Sequence, residues 1–288
     1  MALPAIAQPY IFMEIFNTLL VHPLINALVA IYQALYYLHV PGALGLSIIL
    51  LTVLIRFIMY PLTVAQIKTS QEMMKIQPLI NKLKEKYKKD PKRLQQEQMA
   101  LFKEHGVNPA AGCLPSLIQI VILVFGFYPA ILKIFALKPK ETVSAINHIV
   151  YFDPIRLTHI WDTNFFGIPL GAMPADLMKS MAIVAILIPV ITAVLTFIQT
   201  KMMMPEAPIE KAVKPKSGTP DFSQAIQKQM LYMSPLLIGF VSFRFAIGLS
   251  LYWNTFTIFG IIQQYKVQGL GGLASWAKYL NIQGKKLT

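Results

Sequence analysis

The chain has 288 residues, 55% of them hydrophobic and only 14% charged, with a mean hydropathy of +0.54. Soluble domains carry roughly 25% charged residues, so the composition excludes an ordinary water-soluble fold and points to an integral membrane protein. The apolar runs are continuous rather than alternating, which favours helices over a barrel. A single cysteine, Cys113, rules out an internal disulfide or a cysteine metal cluster. The net charge of +13 calls for an anionic partner, membrane face or nucleic acid, and its placement along the chain decides which.

Residues 1–42 contain no Lys or Arg and are expected to lie outside the cytoplasm. The start, MALPAIAQPYIF, lacks the basic region of a cleavable signal peptide. Between Tyr10 and Leu38, Glu14, Thr18, His22 and Asn26 recur every fourth position among aliphatic and aromatic residues. That period predicts an amphipathic helix, kinked or divided at Pro23 and lying in the membrane interface. The alternative is an additional span packed through its polar stripe.

The first predicted span, 43–67, contains LTVLIRFIMYPLT at 51–63. Its arginine, Arg56, falls near the middle of an apolar run long enough to cross a hydrocarbon core of about 30 Å. A guanidinium there costs roughly 2.5–3.5 kcal/mol on insertion scales and cannot lose its proton. It needs a hydrated recess, a partner or a route to the interface.

Residues 68–108 change character to Lys-rich, with apolar Ile76, Ile80, Leu83 and Tyr87 and later Leu94, Met99, Leu101 and Phe102. Asp90-Pro91 supplies an N-cap with proline at the first helical position, and Gly106 with Pro109 closes the second helix. A cytoplasmic two-helix hairpin is predicted.

The second span is placed at 109–134, with Pro115 and Pro129. An acid-balanced outer loop follows at 135–178, with interfacial pieces around Ile160-Trp161 and Phe165-Phe166. The third span is placed at 179–204 and a Pro- and Lys-rich cytoplasmic loop at 205–228. The last spans are 229–245 and 250–267, and a basic tail covers 268–288. Placing the basic segments on one side requires five spans, with the N-terminus outside and the C-terminus cytoplasmic. Arg244, near the outer turn, is the exception. An anionic ribosome surface remains compatible with the cytoplasmic charge.

Every span carries a polar stripe: Thr52, Arg56 and Thr63; Ser116 and Gln119; Thr192, Thr196 and Gln199; Ser234 and Ser242; Asn254, Thr257 and Gln264. Such residues commonly join helices through hydrogen bonds. With Arg56 present, and no Asp or Glu in any span to pair with it, the stripes read better as the lining of a hydrated cavity. No catalytic residue, cofactor site or metal site is expected. The five histidines fall outside the spans, and no GxSxG, HExxH or phosphate-binding glycine loop occurs.

These stretches, in this order, resemble the YidC/Oxa/Alb family of membrane protein insertases. The resemblance rests on LTVLIRFIMYPLT at 51–63, HGVNPAAGCLPSLIQ at 105–119, FIQTKM at 197–202 and GLSLYWNTFTIFGIIQQ at 248–264, and it covers about residues 43–267. It implies an all-α membrane protein whose five transmembrane helices form a hydrophilic groove open to cytoplasm and lipid. Arg56 corresponds to the family's groove arginine, Gln199 to a groove amide of the third helix, and Trp253 to an aromatic of the fifth. With Thr52, Gln119, Thr196, Asn254 and Thr257 they form the expected substrate-binding groove. The basic hairpin matches the family's flexible cytoplasmic hairpin, and segment 10–38 its outer-leaflet amphipathic helix.

The implied activity is insertion and folding of small membrane proteins without nucleotide hydrolysis, by a monomer in a bacterial plasma membrane. The implied partners are nascent membrane proteins and the bilayer, with the ribosome, the signal recognition particle system and the Sec translocon meeting the hairpin and tail. An anion transporter or channel using Arg56 is the alternative. The chain departs from the family pattern in three ways: no large periplasmic domain precedes the core, the second span has no proline just after Gln119, and the tail is short.

Overall fold

The computed structural model describes residues 14–108, 117–135, 139–204 and 222–276. Tyr10 of the amphipathic segment, Pro109, Cys113, Pro115 and Ser116 of the second-span stretch, residues 205–221 of the 205–228 loop and most of the tail lie outside the described residues. The described chain is overwhelmingly helical: α1 (Glu14–Tyr37), α2 (Ala43–Ile58), α3 (Tyr60–Lys86), α4 (Pro91–Glu104), α5 (Leu117–Phe135), α6 (Pro139–Asn147), α7 (Ala182–Met202), α8 (Phe222–Arg244) and α9 (Ile247–Gln268). Strands β1 (Asn164–Phe165) and β2 (Ile168–Pro169) form a small hairpin, Phe165 pairing with Ile168. By length and composition α1, α5 and α7 can each cross a membrane, and α2 with α3 would count as a fourth, broken span. α1 therefore meets the length criterion for a span, although its amphipathic pattern favours the interface.

The chain divides into two units. The first comprises Met1–Phe57, Ile118–Leu195 and Pro235–Ile258. Its core joins Val21, Ile25, Leu28, Val29 and Tyr32 of α1 to Leu44, Ile48 and Leu51 of α2 and to Phe127, Ile131 and Ile134 of α5. Pro23 does not divide α1. The helix instead widens into a π turn at Asn17–Val21, just ahead of the proline, which absorbs the hydrogen bond that Pro23 cannot donate. α5 repeats the device, with a π stretch at Ile122–Phe127 before Pro129. The two π segments pack on each other, with the Phe16 and Phe125 rings 4.7 Å apart. Gly126 permits the approach, since a Cβ there would lie 2.9 Å from Leu24 Cδ1.

The segment between α5 and α7 is folded where it is described, from residue 139 onward. Asn147 grips Leu157 at both its N–H and its carbonyl, at 2.8 and 2.9 Å. Asn26 of α1 donates to Ile149 O and accepts from Tyr151 N, and Gln33 donates to Arg156 O. Part of α1's polar stripe is thus spent on loop backbone, which a polypeptide must satisfy wherever water is scarce. Of the aromatic pieces, Trp161 is buried in the core at 3% exposure while Phe166 is exposed. Phe165 lies over Gly45, where any Cβ would collide with its ring. The loop also reaches α9: Ile247 N and Gly248 N, two donors that a helix start leaves unpaired, bond Ala172 O and Leu170 O.

The second unit comprises Ile58–Leu117, Thr196–Ser234 and Phe259–Thr288. α3 and α4 pack as a pair around Ile76, Ile80 and Val107, with Met73, Leu101 and Phe102 against them. Asp90 caps α4, its carboxylate accepting from Arg93 N at 3.0 Å, and Gly106 takes the left-handed conformation that ends it (φ 65°). Beyond α9, Gly271 and Gly272 press against the backbone carbonyls of Met202 and Lys201, where no Cβ would fit.

Candidate functional site

Arg56 follows Thr52 by one helical turn on α2, the two sharing a face with Leu44, Ile48 and Leu51. It is only 3% exposed. Its guanidinium lies 3.4 Å from the centre of the Phe256 ring and donates through Nη2 to the Phe256 carbonyl at 2.6 Å. The ring belongs to an aromatic row on α9 and α5: Phe256 is 5.7 Å from Tyr252, which stacks on Phe127 at 3.8 Å. A desolvated cation–π contact contributes about 2 kcal/mol and a charged hydrogen bond about 1.5–3 kcal/mol. Together they offset the insertion cost of roughly 2.5–3.5 kcal/mol. The ring and the carbonyl are both neutral groups.

Several hydroxyls of the polar stripes, and others beside them, turn back on their own helices. Ser47, Thr52, Thr63, Thr192, Thr200, Ser234 and Thr255 each donate to the carbonyl four residues earlier. This is the usual resource of Ser and Thr inside an apolar helix. One set does cross between helices: Thr192 of α7, Ser242 of α8 and Ser250 of α9 form a chain with oxygens 3.3 and 2.9 Å apart. It borders a half-open cavity of about 360 Å³ lined by Leu123, Val124, Tyr128, Phe245 and Trp253 among others.

The residues expected in the groove fall as follows. In the first unit, Arg56 and Thr52 lie on α2, Gln119 on α5, and Trp253, Asn254 and Thr257 on α9. α9 meets Arg56 through Phe256 and the cavity through Trp253. Thr257 is 2% exposed, and the buried Asn254 Oδ1 has no hydrogen-bond partner. Gln119 is half-buried. In the second unit, α7 carries Thr196, at 9% exposure, and the half-buried Gln199. Thr63, Gln66, Gln263 and Gln264 are also buried there. Sequence reasoning missed Phe256, Tyr252 and Ser250. Only the aromatic repeat at 252 and 256 on α9 could have pointed to the first two.

A predominantly helical membrane protein with a buried arginine in an apolar helix defines the class. The 60Kd inner membrane protein family matches residues 35–270, and the chain belongs to that family, the YidC/Oxa/Alb insertases. It is 34% identical over 229 residues to the membrane protein insertase MisCA of Bacillus subtilis, covering 78% of this chain and 70% of that protein. It is 32% identical over 230 residues to the membrane protein insertase YidC of Fusobacterium nucleatum, covering 80% and 88% respectively. With the YidC of Chlamydia trachomatis the identity is 32% over 80% of this chain but only 26% of that protein.

Proposed function

We propose that the protein is a membrane protein insertase, working from the cytoplasmic side without nucleotide hydrolysis and using Arg56 to draw in substrate. The observation that carries the proposal is a buried positive charge retained in an apolar helix of a family member, stacked on the Phe256 ring and bonded to its carbonyl. At 4 Å and an effective dielectric of about 20, such a charge attracts an acid by about 4 kcal/mol. That offsets part of the cost of bringing a substrate's acidic tail out of water. Burial of the substrate's apolar segment in lipid then drives insertion, assisted by the membrane potential where the tail is acidic.

The reading includes a five-span bacterial plasma-membrane protein with α1 in the outer interface and both the N-terminus and the outer loop outside. It assigns the Lys-rich hairpin, whose α4 surface exposes Lys92, Gln95, Gln96 and Lys103 around a shallow depression, to the reception of nascent chains and their carriers. The test is reconstitution of the purified chain in nucleotide-free proteoliposomes, with a single-span substrate bearing an acidic tail, scored by protease protection. No insertion above empty liposomes refutes the function. Saturable uptake of a labelled small anion by the same vesicles, without insertion, would install the transporter reading instead.

A further inference from the structure

The small hairpin β1–β2 turns on a residue that its geometry does not suit. Phe165 pairs with Ile168, so Phe166 and Gly167 are the two turn residues, at φ 50° and 84°. Positive φ at both positions is what two-residue hairpins favour, and Asn, Asp or Gly normally supplies it. A phenylalanine there is strained, because its Cβ crowds a carbonyl oxygen. Packing within the fold does not explain the choice, since Phe166 remains 70% exposed. The structural part falls to Phe165, whose ring lies over Gly42 and Gly45 at the start of α2 and meets the Phe166 ring edge-on at 4.8 Å.

A second strained residue stands at the same edge. Among the described residues only His39 and Phe166 combine a side chain with a positive φ. A Cβ built on Gly42, three residues beyond His39, would lie 3.7 Å from Phe166 Cε2. Just ahead of His39, Tyr37 and Leu38 are 66% and 73% exposed. Residues 37–45 and 163–172 contain no Lys, Arg, Asp or Glu, so the patch offers nothing to an ionic partner. It adjoins α2 instead, whose Leu50, Leu54 and Phe57 are exposed and, in a membrane protein, face lipid. That apolar helix begins at Ala43, so the boundary between hydrocarbon and headgroups crosses this edge.

We propose that the Phe166 tip, with Tyr37 and Leu38, docks into the headgroup layer of the bilayer at the start of α2 and fixes the depth of this unit in the membrane. Aromatic rings favour that level, and Phe and Leu bury there when a surface element presents them. The inference requires only that α2 enters the membrane and is independent of insertase activity. In the topology proposed above, the layer belongs to the outer leaflet.

The full chain is placed in phosphatidylcholine nanodiscs, and the emission that Phe166→Trp adds to that of the wild-type chain is measured. Lipid brominated near the head of its acyl chains should quench most of the added emission. Lipid brominated near the chain ends should quench less than half as much, and aqueous iodide should scarcely reach it. Tyr37→Trp, outside the strained turn, should give the same pattern, and its result decides if Phe166→Trp does not fold. Quenching by iodide with none by lipid overturns the proposal. So does protection from both, which would place the ring against protein, and stronger quenching from the chain ends overturns the headgroup depth. Phe166→Asn tests packing separately. Asn adopts the left-handed conformation readily, so the midpoint of thermal unfolding in detergent should equal that of the wild type or rise by a few degrees. A lowered midpoint would make the ring a structural contact and overturn its docking role.

Discussion

Replacement of Arg56 by alanine separates a recruiting charge from a structural one. The substitution removes a charged hydrogen bond to Phe256 O at 2.6 Å and a stacked contact at 3.4 Å, together about 3.5–5 kcal/mol. It also removes the cost of a guanidinium in the apolar span, about 2.5–3.5 kcal/mol. The two nearly offset, leaving a net destabilisation of about 0–2.5 kcal/mol, so the protein should still fold with its midpoint of thermal unfolding lowered by a few degrees. The attraction for an acidic tail has no such offset. Losing even a third of about 4 kcal/mol means on the order of a tenfold loss, since each 1.4 kcal/mol is a factor of ten. Arg56→Ala should therefore insert acidic-tailed substrates at least tenfold less in proteoliposomes. Arg56→Lys keeps the charge while losing the planar stack, and should retain most of the activity. Wild-type insertion by folded Arg56→Ala would refute the recruiting role. A collapse of the folded state in Arg56→Ala and Arg56→Lys alike would recast the residue as a packing element.

Three further substitutions probe the fold of the two units separately. Gly239 lets α8 approach α7, since a Cβ there would meet Ala193 Cβ at 2.9 Å and Pro189 O at 3.3 Å; Gly239→Leu should destabilise by about 1–3 kcal/mol, measured as thermal unfolding in detergent. Asn26→Leu strands Ile149 O and Tyr151 N, each at about 1–3 kcal/mol if left buried. Faster amide exchange at Tyr151 would register it, and unchanged exchange would show that the loop finds other partners. Asp90→Ala removes the cap of α4 and costs about 1 kcal/mol, visible as roughly fivefold faster exchange in the first turn of that helix.

Much of the architecture was legible because membranes impose a coarse grammar. Long apolar runs have to become helices, Asp90-Pro91 has to start one, and the arginine in the first run was conspicuous by its cost. The dispositions of the hydroxyls were not legible. Thr52 and Thr63 share a stripe with Arg56, which suggests lining or glue, yet both donate to carbonyls of their own helix. Sequence periodicity reports which face a residue occupies and is silent on whether its hydroxyl turns inward or outward, because the i−4 carbonyl is always in reach. The π turns were hidden for a related reason. Pro23 and Pro129 announced a disturbed hydrogen bond, but only packing decided that each helix would widen rather than break.

The partner of Arg56 shows where inventory reasoning stops. Counting acids in the spans excluded an intramembrane salt bridge and made a wet recess attractive. An aromatic face and a backbone carbonyl can hold a guanidinium too, and neither appears in a count of charges. Phe256 provides both from a single residue of α9. A carboxylate there would have satisfied Arg56 and extinguished its field. A ring and a carbonyl help to make the charge tolerable in the fold and do not themselves neutralise it. On that basis Phe256→Leu, which deletes the ring but leaves the main-chain acceptor, should loosen Arg56 without reducing its charge. Its expected signature is a folded protein destabilised by about 2 kcal/mol that still inserts acidic-tailed substrates. If Phe256→Leu instead lost insertion as completely as Arg56→Ala while remaining folded, the orientation of the guanidinium would be the operative property rather than its charge.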